Sequence, residues 1–134
     1  MNKQQAYNAF WGGFGVFAFE ENSIPDDKII QKLIDAGVAP SKYPYIAYEV
    51  IVDDLGNAVY PSASLYDNSS SWERLDLLAN TISSRIQAMN TIKLDNGRMF
   101  ITKGSPFAQH MGEGEGFDIK RIVLNLGVEF LTEI

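Results

Sequence analysis

The alternation of apolar and polar residues is most regular near the end of the chain, over residues 119–131. Apolar side chains take every second position and would share one face of an extended strand: Ile122, Leu124, Leu126, Val128 and Phe130. The other face carries Arg121, Asn125 and Glu129, together with Val123 and Gly127. This pattern predicts a long strand with one face in the core and the other in water. We expect the rest of the fold to be organised around it.

A second pattern, with helical spacing, runs over residues 72–89. Its apolar stripe consists of Trp72, Leu75, Leu78, Ala79, Ile82, Ile86 and Met89, whereas Glu73, Arg74, Asp76, Asn80 and Gln87 should face water. The preceding Ser70-Ser71-Trp72-Glu73 matches a capping box, in which Ser70 would accept a hydrogen bond from the third helical amide. We predict that this helix supplies the main packing against the sheet.

Four shorter strands are predicted, at residues 45–52, 58–66, 91–94 and 98–103. The first two should form a hairpin through residues 53–57, with Pro61 at an edge or a bulge because proline donates no ladder hydrogen bond. The last two flank Asp95-Asn96-Gly97, a strong signal for a tight hairpin turn. Two short helices are predicted as well, over residues 2–11 with Asn2 as the cap and over residues 25–37. Residues 14–19 read as a short edge strand or an extended arm.

These elements predict an α+β fold in one domain, residues 1–134, with a mostly antiparallel sheet of about five strands and helices on one face. The connection over residues 104–118 contains Pro106 and the glycines 112, 114 and 116. Long connections without regular structure are usually functional or disordered. We therefore predict a long mobile loop there.

Composition narrows the function classes. The chain has 134 residues, no cysteine and a formal net charge of -6. The absence of cysteine excludes disulfides and thiolate chemistry and fits a reducing compartment. The acidic balance argues against general phosphate binding, since nucleic-acid affinity depends largely on Lys and Arg. Neither a signal peptide nor an apolar stretch of membrane-spanning length is expected.

No constellation of catalytic, cofactor-binding or metal-binding residues is evident. His110 is the only histidine and has no motif partners, so we interpret it as a surface or interface residue. Gly112-Glu113-Gly114-Glu115-Gly116 lacks the Lys and Ser/Thr of a phosphate loop, and its carboxylates would repel phosphate. The pairs Asp26-Asp27 and Asp53-Asp54 are explained by helix-start and turn chemistry. The sequence therefore predicts a protein that is not an enzyme.

An excess of aromatic residues lies outside the predicted core elements. Large exposed apolar patches usually mark protein contacts, although part of this set will pack in the core. The candidates for an oligomer interface are Trp11, Phe14, Phe17, Phe107, His110 and Met111.

Several stretches, taken in order, resemble a family of small proteins from the head-tail gene cluster of long-tailed phages and prophages of Gram-positive hosts, the minor capsid or tail terminator proteins. They are Glu21-Asn22-Ser23-Ile24-Pro25-Asp26-Asp27, Pro44-Tyr45-Ile46-Ala47-Tyr48-Glu49, Ala63-Ser64-Leu65-Tyr66 with Ser70-Ser71-Trp72, Gly104-Ser105-Pro106-Phe107-Ala108-Gln109, and Val128-Glu129-Phe130-Leu131-Thr132-Glu133. The chain departs from the family pattern at residues 28–43, which look like an inserted helix and linker.

The resemblance implies a structural virion protein at the head-tail interface, made in the cytoplasm of the bacterial host. Such a subunit forms a homo-oligomeric ring, commonly a hexamer, that caps the tail tube and joins it to the head connector. DNA would pass through the ring without specific binding, and an acidic wall would suit that role. No cofactor and no membrane contact are implied.

Two alternatives of other classes stay open from the sequence. One is a small enzyme of unknown type whose site assembles from Tyr66, Asp67, Arg98 and His110. The other is a small cytoplasmic module that binds another protein. The oligomeric state separates the ring from both alternatives.

Overall fold

The computed structural model describes residues 2–50, 58–89, 91–95, 97–111 and 119–132. Three α-helices lie in this part of the chain: α1 Lys3–Trp11, α2 Asp27–Asp35 and α3 Glu73–Ala88. The strands are β1 Phe17–Glu20, β2 Tyr45–Tyr48, β3 Ala58–Val59, β4 Ser62–Asn68, β5 Ile92–Leu94, β6 Gly97–Met111 and β7 Ile119–Thr132. A 3-10 turn, Gly12–Phe14, follows α1 directly. Among these described elements, no helix is long and apolar enough to cross a membrane.

The seven described strands form one sheet. Six follow the order β1-β2-β4-β7-β6-β5, and the short β3 pairs with β7. β1 and β2 are parallel, whereas every other pair is antiparallel. The predicted α+β class is confirmed. The sheet is mixed and larger than predicted, because residues 17–20 add an edge strand and the second predicted strand divides into β3 and β4.

β7 lies in the middle of the sheet, between β4 and β6. The side chains predicted to face the core are no more than 2% exposed: Ile122, Leu124, Leu126 and Val128. Phe130 packs against the same cluster while remaining partly exposed. The predicted alternation is therefore confirmed along this strand.

α1 and α3 cover the core face of the sheet. The buried residues of α3 are Leu75, Leu78, Ala79, Ile82 and Ile86, as its stripe predicts. α1 adds Tyr7 and Trp11, whose ring centroids each lie 5.9 Å from that of Tyr48 on β2. Full burial of a large apolar side chain contributes about 1.5–3 kcal/mol, so these two helices supply much of the packing energy.

α2 packs against the opposite face, which corrects the prediction that the helices share one face. Ala18 and its strand partner Ile46 belong to the main core. Phe17 instead joins Ile30 and Ala39 in a separate buried cluster, against which its own strand partner Tyr45 packs. Because successive strand residues point to opposite faces, the α2 cluster lies behind the sheet.

The helix starts agree only in part with the predicted caps. The Asn2 side chain accepts a hydrogen bond from Gln5 N at 2.8 Å, and Gln5 Oε1 accepts one from Asn2 N, so the predicted cap is confirmed as a full capping box. Asp26 caps α2 in the same manner through Ile29 N. The predicted capping box of Ser70 is wrong, because α3 begins at Glu73 and Ser71 Oγ accepts from Glu73 N at 3.1 Å.

Both predicted hairpin pairings are present in the sheet. β5 and β6 pair antiparallel with Leu94 opposite Gly97, as the Asp95-Asn96-Gly97 signal predicts. β2 pairs antiparallel with β4, with Tyr48 opposite Ala63. Pro61 falls between β3 and β4, where its carbonyl oxygen accepts a hydrogen bond from Leu126 N at 3.1 Å. The predicted connection over residues 53–57 lies outside the described residues.

The prediction of a mobile loop over residues 104–118 is wrong for its first half. Residues 104–111 belong to β6 and pair with β7 after a register shift between Lys103 and Ala108. The glycine at 104 reflects a close approach, because a Cβ there would lie 2.8 Å from the carbonyl oxygen of Asn125. The Asn125 amide also donates to the carbonyl oxygen of Pro106 at 3.0 Å, which anchors the irregular part. Residues 112–118 lie outside the described residues.

The packing of α3 can be tested by replacing each of two adjacent leucines with aspartate. Leu78 is 8% exposed and Leu77 is 66% exposed. We expect Leu78→Asp to lower the free energy of unfolding by several kcal/mol, because it buries a charge without a partner. Leu77→Asp makes the same replacement in the same helix, so its effect on helix propensity is the same. It should change the free energy of unfolding by about 0.5 kcal/mol. Urea denaturation at low protein concentration measures both variants, and equal losses would contradict the assigned orientation of α3.

Tyr7 provides a second test, at alkaline pH. Burial raises the pKa of Tyr7 well above its ordinary value, and the nearby Trp11 indole offsets only part of that effect. The Tyr7 hydroxyl and the Trp11 Nε1–H are both buried, and neither has a hydrogen-bond partner of normal geometry among the residues that the structure describes. Removing a buried hydroxyl that has no partner should not destabilise the fold.

We therefore expect Tyr7→Phe to match or exceed the wild-type stability at pH 7. Above about pH 10, where unfolded tyrosine ionises, the unfolded wild type releases a proton that the folded state retains. The wild type should then lose stability with rising pH faster than Tyr7→Phe. Parallel pH–stability curves for the two proteins would contradict the burial of this hydroxyl.

Candidate functional site

The only histidine lies in a polar and aromatic cluster at the start of α3. The His110 ring stacks on Trp72 with centroids 3.9 Å apart and planes 3° apart. His110 Nε2 lies 2.7 Å from Asp76 Oδ1, in the first turn of α3. Lys120 Nζ lies 5.6 Å from the centroid of the Trp72 ring. We refer to Trp72, Asp76, His110 and Lys120 as the Trp72 cluster.

The Trp72 cluster ties β6 and β7 to the beginning of α3. His110 and Asp76 are about half exposed, so their contact with each other is open to solvent. An aspartate can orient a histidine as a base, but general-base catalysis also needs an activated group within reach. The His110 side chain contacts Asp76 and Trp72, and its backbone lies opposite Ile122 in the β6–β7 ladder. The geometry therefore supports a cross-link between elements.

A buried ion pair lies on the other flank of the helix start. Asp67 of β4 is completely buried, and it accepts hydrogen bonds from Arg74 Nε at 3.0 Å and from the Arg74 terminal nitrogen Nη2 at 2.5 Å. The Arg74 side chain is about half exposed, so its guanidinium contacts the buried Asp67 carboxylate from the surface. Such fork-like pairing satisfies both carboxylate oxygens, so Arg74 makes the burial of Asp67 tolerable.

The four residues of the enzyme alternative are not joined by their contacts. Tyr66 stacks on Tyr45 with centroids 5.1 Å apart, on the sheet face opposite to its neighbour Asp67. Arg98 donates to Thr91 Oγ1 at 2.9 Å. His110 contacts Asp76, as described above. Within the described ranges, no group of three or more His, Cys, Asp or Glu side chains is placed to hold a metal ion.

The predicted interface residues divide into two groups. Trp11 and Phe17 are buried inside the main core and the α2 cluster respectively, so the prediction is wrong for these two. Trp11 stacks on Tyr48 on the core face of the sheet, and Phe17 packs with Ile30 of α2 on the opposite face. Phe14 and Phe107 are partly buried, and His110 and Met111 are exposed. For these four the interface role stays a prediction.

A groove that the sequence did not predict runs along the exposed flank of α3. Its walls are mostly apolar and come from Phe14, Val16, Pro44 and Leu77, with Arg74 and Thr81 at the rim. Its volume is about 270 Å³. We call it the α3 groove. The signal for it was Leu77, an apolar residue on the polar side of the helix pattern.

A shallower depression continues from the α3 groove toward the end of the helix. It has a volume of about 490 Å³ and is lined by residues that include Leu77, Ser84 and Arg85. The guanidinium of Arg85 lies 5.0 Å from the centroid of the Phe14 ring. This flank of α3 thus combines exposed apolar surface with two arginines.

Comparison with known proteins adds no identification: no family model matches the chain, and no significant match is found among curated proteins. The functional argument therefore depends on the sequence patterns and on the surfaces described above.

Arg74 provides a test of the buried pair. Arg74→Gln removes the charge that compensates the buried Asp67 carboxylate, and we expect it to lower the free energy of unfolding by about 1–3 kcal/mol. Arg85→Gln is the matched control on the same helix, and the loss of its contact with Phe14 should cost less than about 1 kcal/mol. Urea denaturation compares the two. Equal losses would show that Asp67 does not depend on Arg74.

Proposed function

We propose that the chain is a structural virion protein, a tail terminator that forms a ring on the tail tube and joins it to the head connector. The resemblance of its motifs to that family supplies the specific role. The observation that favours an assembly role is the α3 groove, where Leu77 is 66% exposed beside other apolar side chains. Apolar surface of this kind usually marks a protein contact.

The positions of the resembling motifs are compatible with this proposal. Four of the stretches fall on or beside neighbouring strands of the sheet, in β2, β4, β6 and β7. The motif at residues 104–109 lies in the irregular part of β6, whose side chains are mostly exposed. Because residues 104–109 are mostly exposed and resemble the family motif, they fit a surface that contacts other subunits.

The formal charge of -6 fits the passage of DNA through such a ring. A wall with an excess of carboxylates repels phosphate and so does not retain the duplex. On this proposal the subunit needs neither substrate nor cofactor. Its partners are further copies of itself, the tail tube protein and the head connector proteins, at the head-tail interface of a virion assembled in the host cytoplasm.

A second candidate function is a cytoplasmic module that binds another protein. The same α3 groove favours it, because an apolar groove along a helix can accept a helix or an extended segment of a partner. This candidate predicts a monomer in isolation, whereas the ring predicts self-association.

Size-exclusion chromatography with light scattering tests the proposed ring. We expect a species of about six times the subunit mass of 14.9 kDa, which dissociates on dilution. Negative-stain electron microscopy of that species should show closed rings. A monomer at every concentration would contradict the ring and favour the binding module.

A further inference from the structure

The sheet ends at two open edges. β1 is the outermost strand on one side and β5 is the outermost strand on the other, and among the described residues no further strand pairs with either. The main-chain groups on the outer side of such a strand can pair with another strand, so an open edge is a site for a second chain.

The open edge of β1 presents main-chain donors. Glu21 N donates a hydrogen bond to the carbonyl oxygen of Tyr48 on β2 at 2.8 Å. Because the main-chain groups of successive strand residues point to alternate sides, Ala18 and Glu20 direct their N–H groups away from β2. β1 also contains no proline or lysine, the residues that commonly protect an edge from pairing.

The β5 edge carries an unfavourable pair of like charges. Lys93 of β5 lies directly opposite Arg98 of β6, and both side chains are exposed. Their neighbours Leu94 and Met99 are buried in the main core, so both cations lie on the other sheet face, which carries α2. Within the described ranges neither cation is ion-paired, and the edge stays positive with Asp95 of the adjoining turn included. Directly opposed like charges destabilise a sheet, so an anionic partner would stabilise this edge.

The β1 edge has the complementary charge. Glu20 ends β1 and Glu21 follows it, so two carboxylates lie side by side at this end of the strand. Glu21 continues the alternation of Phe17 and Phe19, which pack toward α2. Its carboxylate therefore lies on the same sheet face as the two cations of the β5 edge, and one chain carries both an acidic edge and a basic edge.

The two edges also have the relative direction that a ring requires. β1 is parallel to β2, and the four pairings that lead from β2 to β5 are all antiparallel, so β1 and β5 run the same way. A rotation about an axis along the strands therefore brings β5 of one copy beside β1 of the next as a parallel pair. Such a head-to-tail contact closes into a ring when the rotation between copies permits.

We propose that β5 of one copy pairs with β1 of a second copy, so that the sheets of neighbouring copies join into one continuous sheet. Lys93 and Arg98 then meet Glu21 of the neighbouring copy across the joint. The α3 groove includes Val16, directly before β1, so the copy that pairs with β1 also covers Leu77. The inference rests on the proposed ring and names the contact that builds it.

Charge reversal at each edge tests the contact. Glu20→Lys/Glu21→Lys makes the β1 edge basic, and Lys93→Glu/Arg98→Glu makes the β5 edge acidic. Each variant alone opposes like charges in every contact, so its dissociation constant in sedimentation velocity should rise by at least about tenfold. In an equimolar mixture the two variants can alternate, which restores opposite charges at every joint. The mixture should therefore associate as the wild type does.

The control is Glu73→Lys/Glu129→Lys, which changes the net charge as much as Glu20→Lys/Glu21→Lys does, at exposed positions away from both edges. It should leave the association unchanged. Thermal melts in dilute solution show that each variant folds. The inference is overturned when each edge variant associates as the wild type does, or when the mixture stays as weak as its components.

Hydrogen exchange measures the strand pairing itself and separates this inference from the proposed function. In wild-type rings the amides of residues 17–21 should exchange at least about tenfold more slowly than in the dilute monomer. Unchanged exchange there in a wild type that forms rings would mean that another contact builds the ring, which then stands without this one. A wild type that is monomeric at every concentration would contradict both.

Discussion

The pairing of β7 along both of its edges is the constraint on which the rest of the structure depends. β4 and β6 are hydrogen-bonded to it on either side, so its register sets which of their residues face the core. Because side chains alternate with a period of two, a slip of one residue would expose its core leucines and bury Arg121 and Glu129. The helices α1 and α3 then cover a face that β7 has already defined.

That dependence explains how much of the fold the sequence could predict. The strict alternation in residues 119–131 predicts a strand with one buried face, and the apolar stripe of α3 predicts a helix with one buried face. Both predictions are confirmed. The prediction was wrong for residues 104–111, which form part of β6. Their side chains are mostly exposed, so no alternation of polar and apolar residues marks the strand. Within this stretch Gly104 lies where the backbone of Asn125 comes too close for a side chain.

The surfaces were harder to predict than the core, for a physical reason. An aromatic residue outside a regular pattern fits either a core or an interface. Trp11 is buried because α1 packs on β2 at Tyr48, and Phe17 is buried because α2 covers the opposite face of the sheet. Leu77 is the reverse case, an apolar residue exposed between two arginines of its own helix. The Trp72 cluster joins His110 to Trp72 and Asp76 across a separation of more than thirty residues. Motif spacing cannot reveal such a contact.

The central proposal is that copies of this acidic subunit assemble into a ring. Cryo-electron microscopy of the wild-type chain at the concentration where it associates tests that claim most directly. We predict closed rings in which a neighbouring subunit covers the α3 groove beside Leu77. Symmetric dimers, or an assembly in which the α3 groove remains open to solvent, would contradict it.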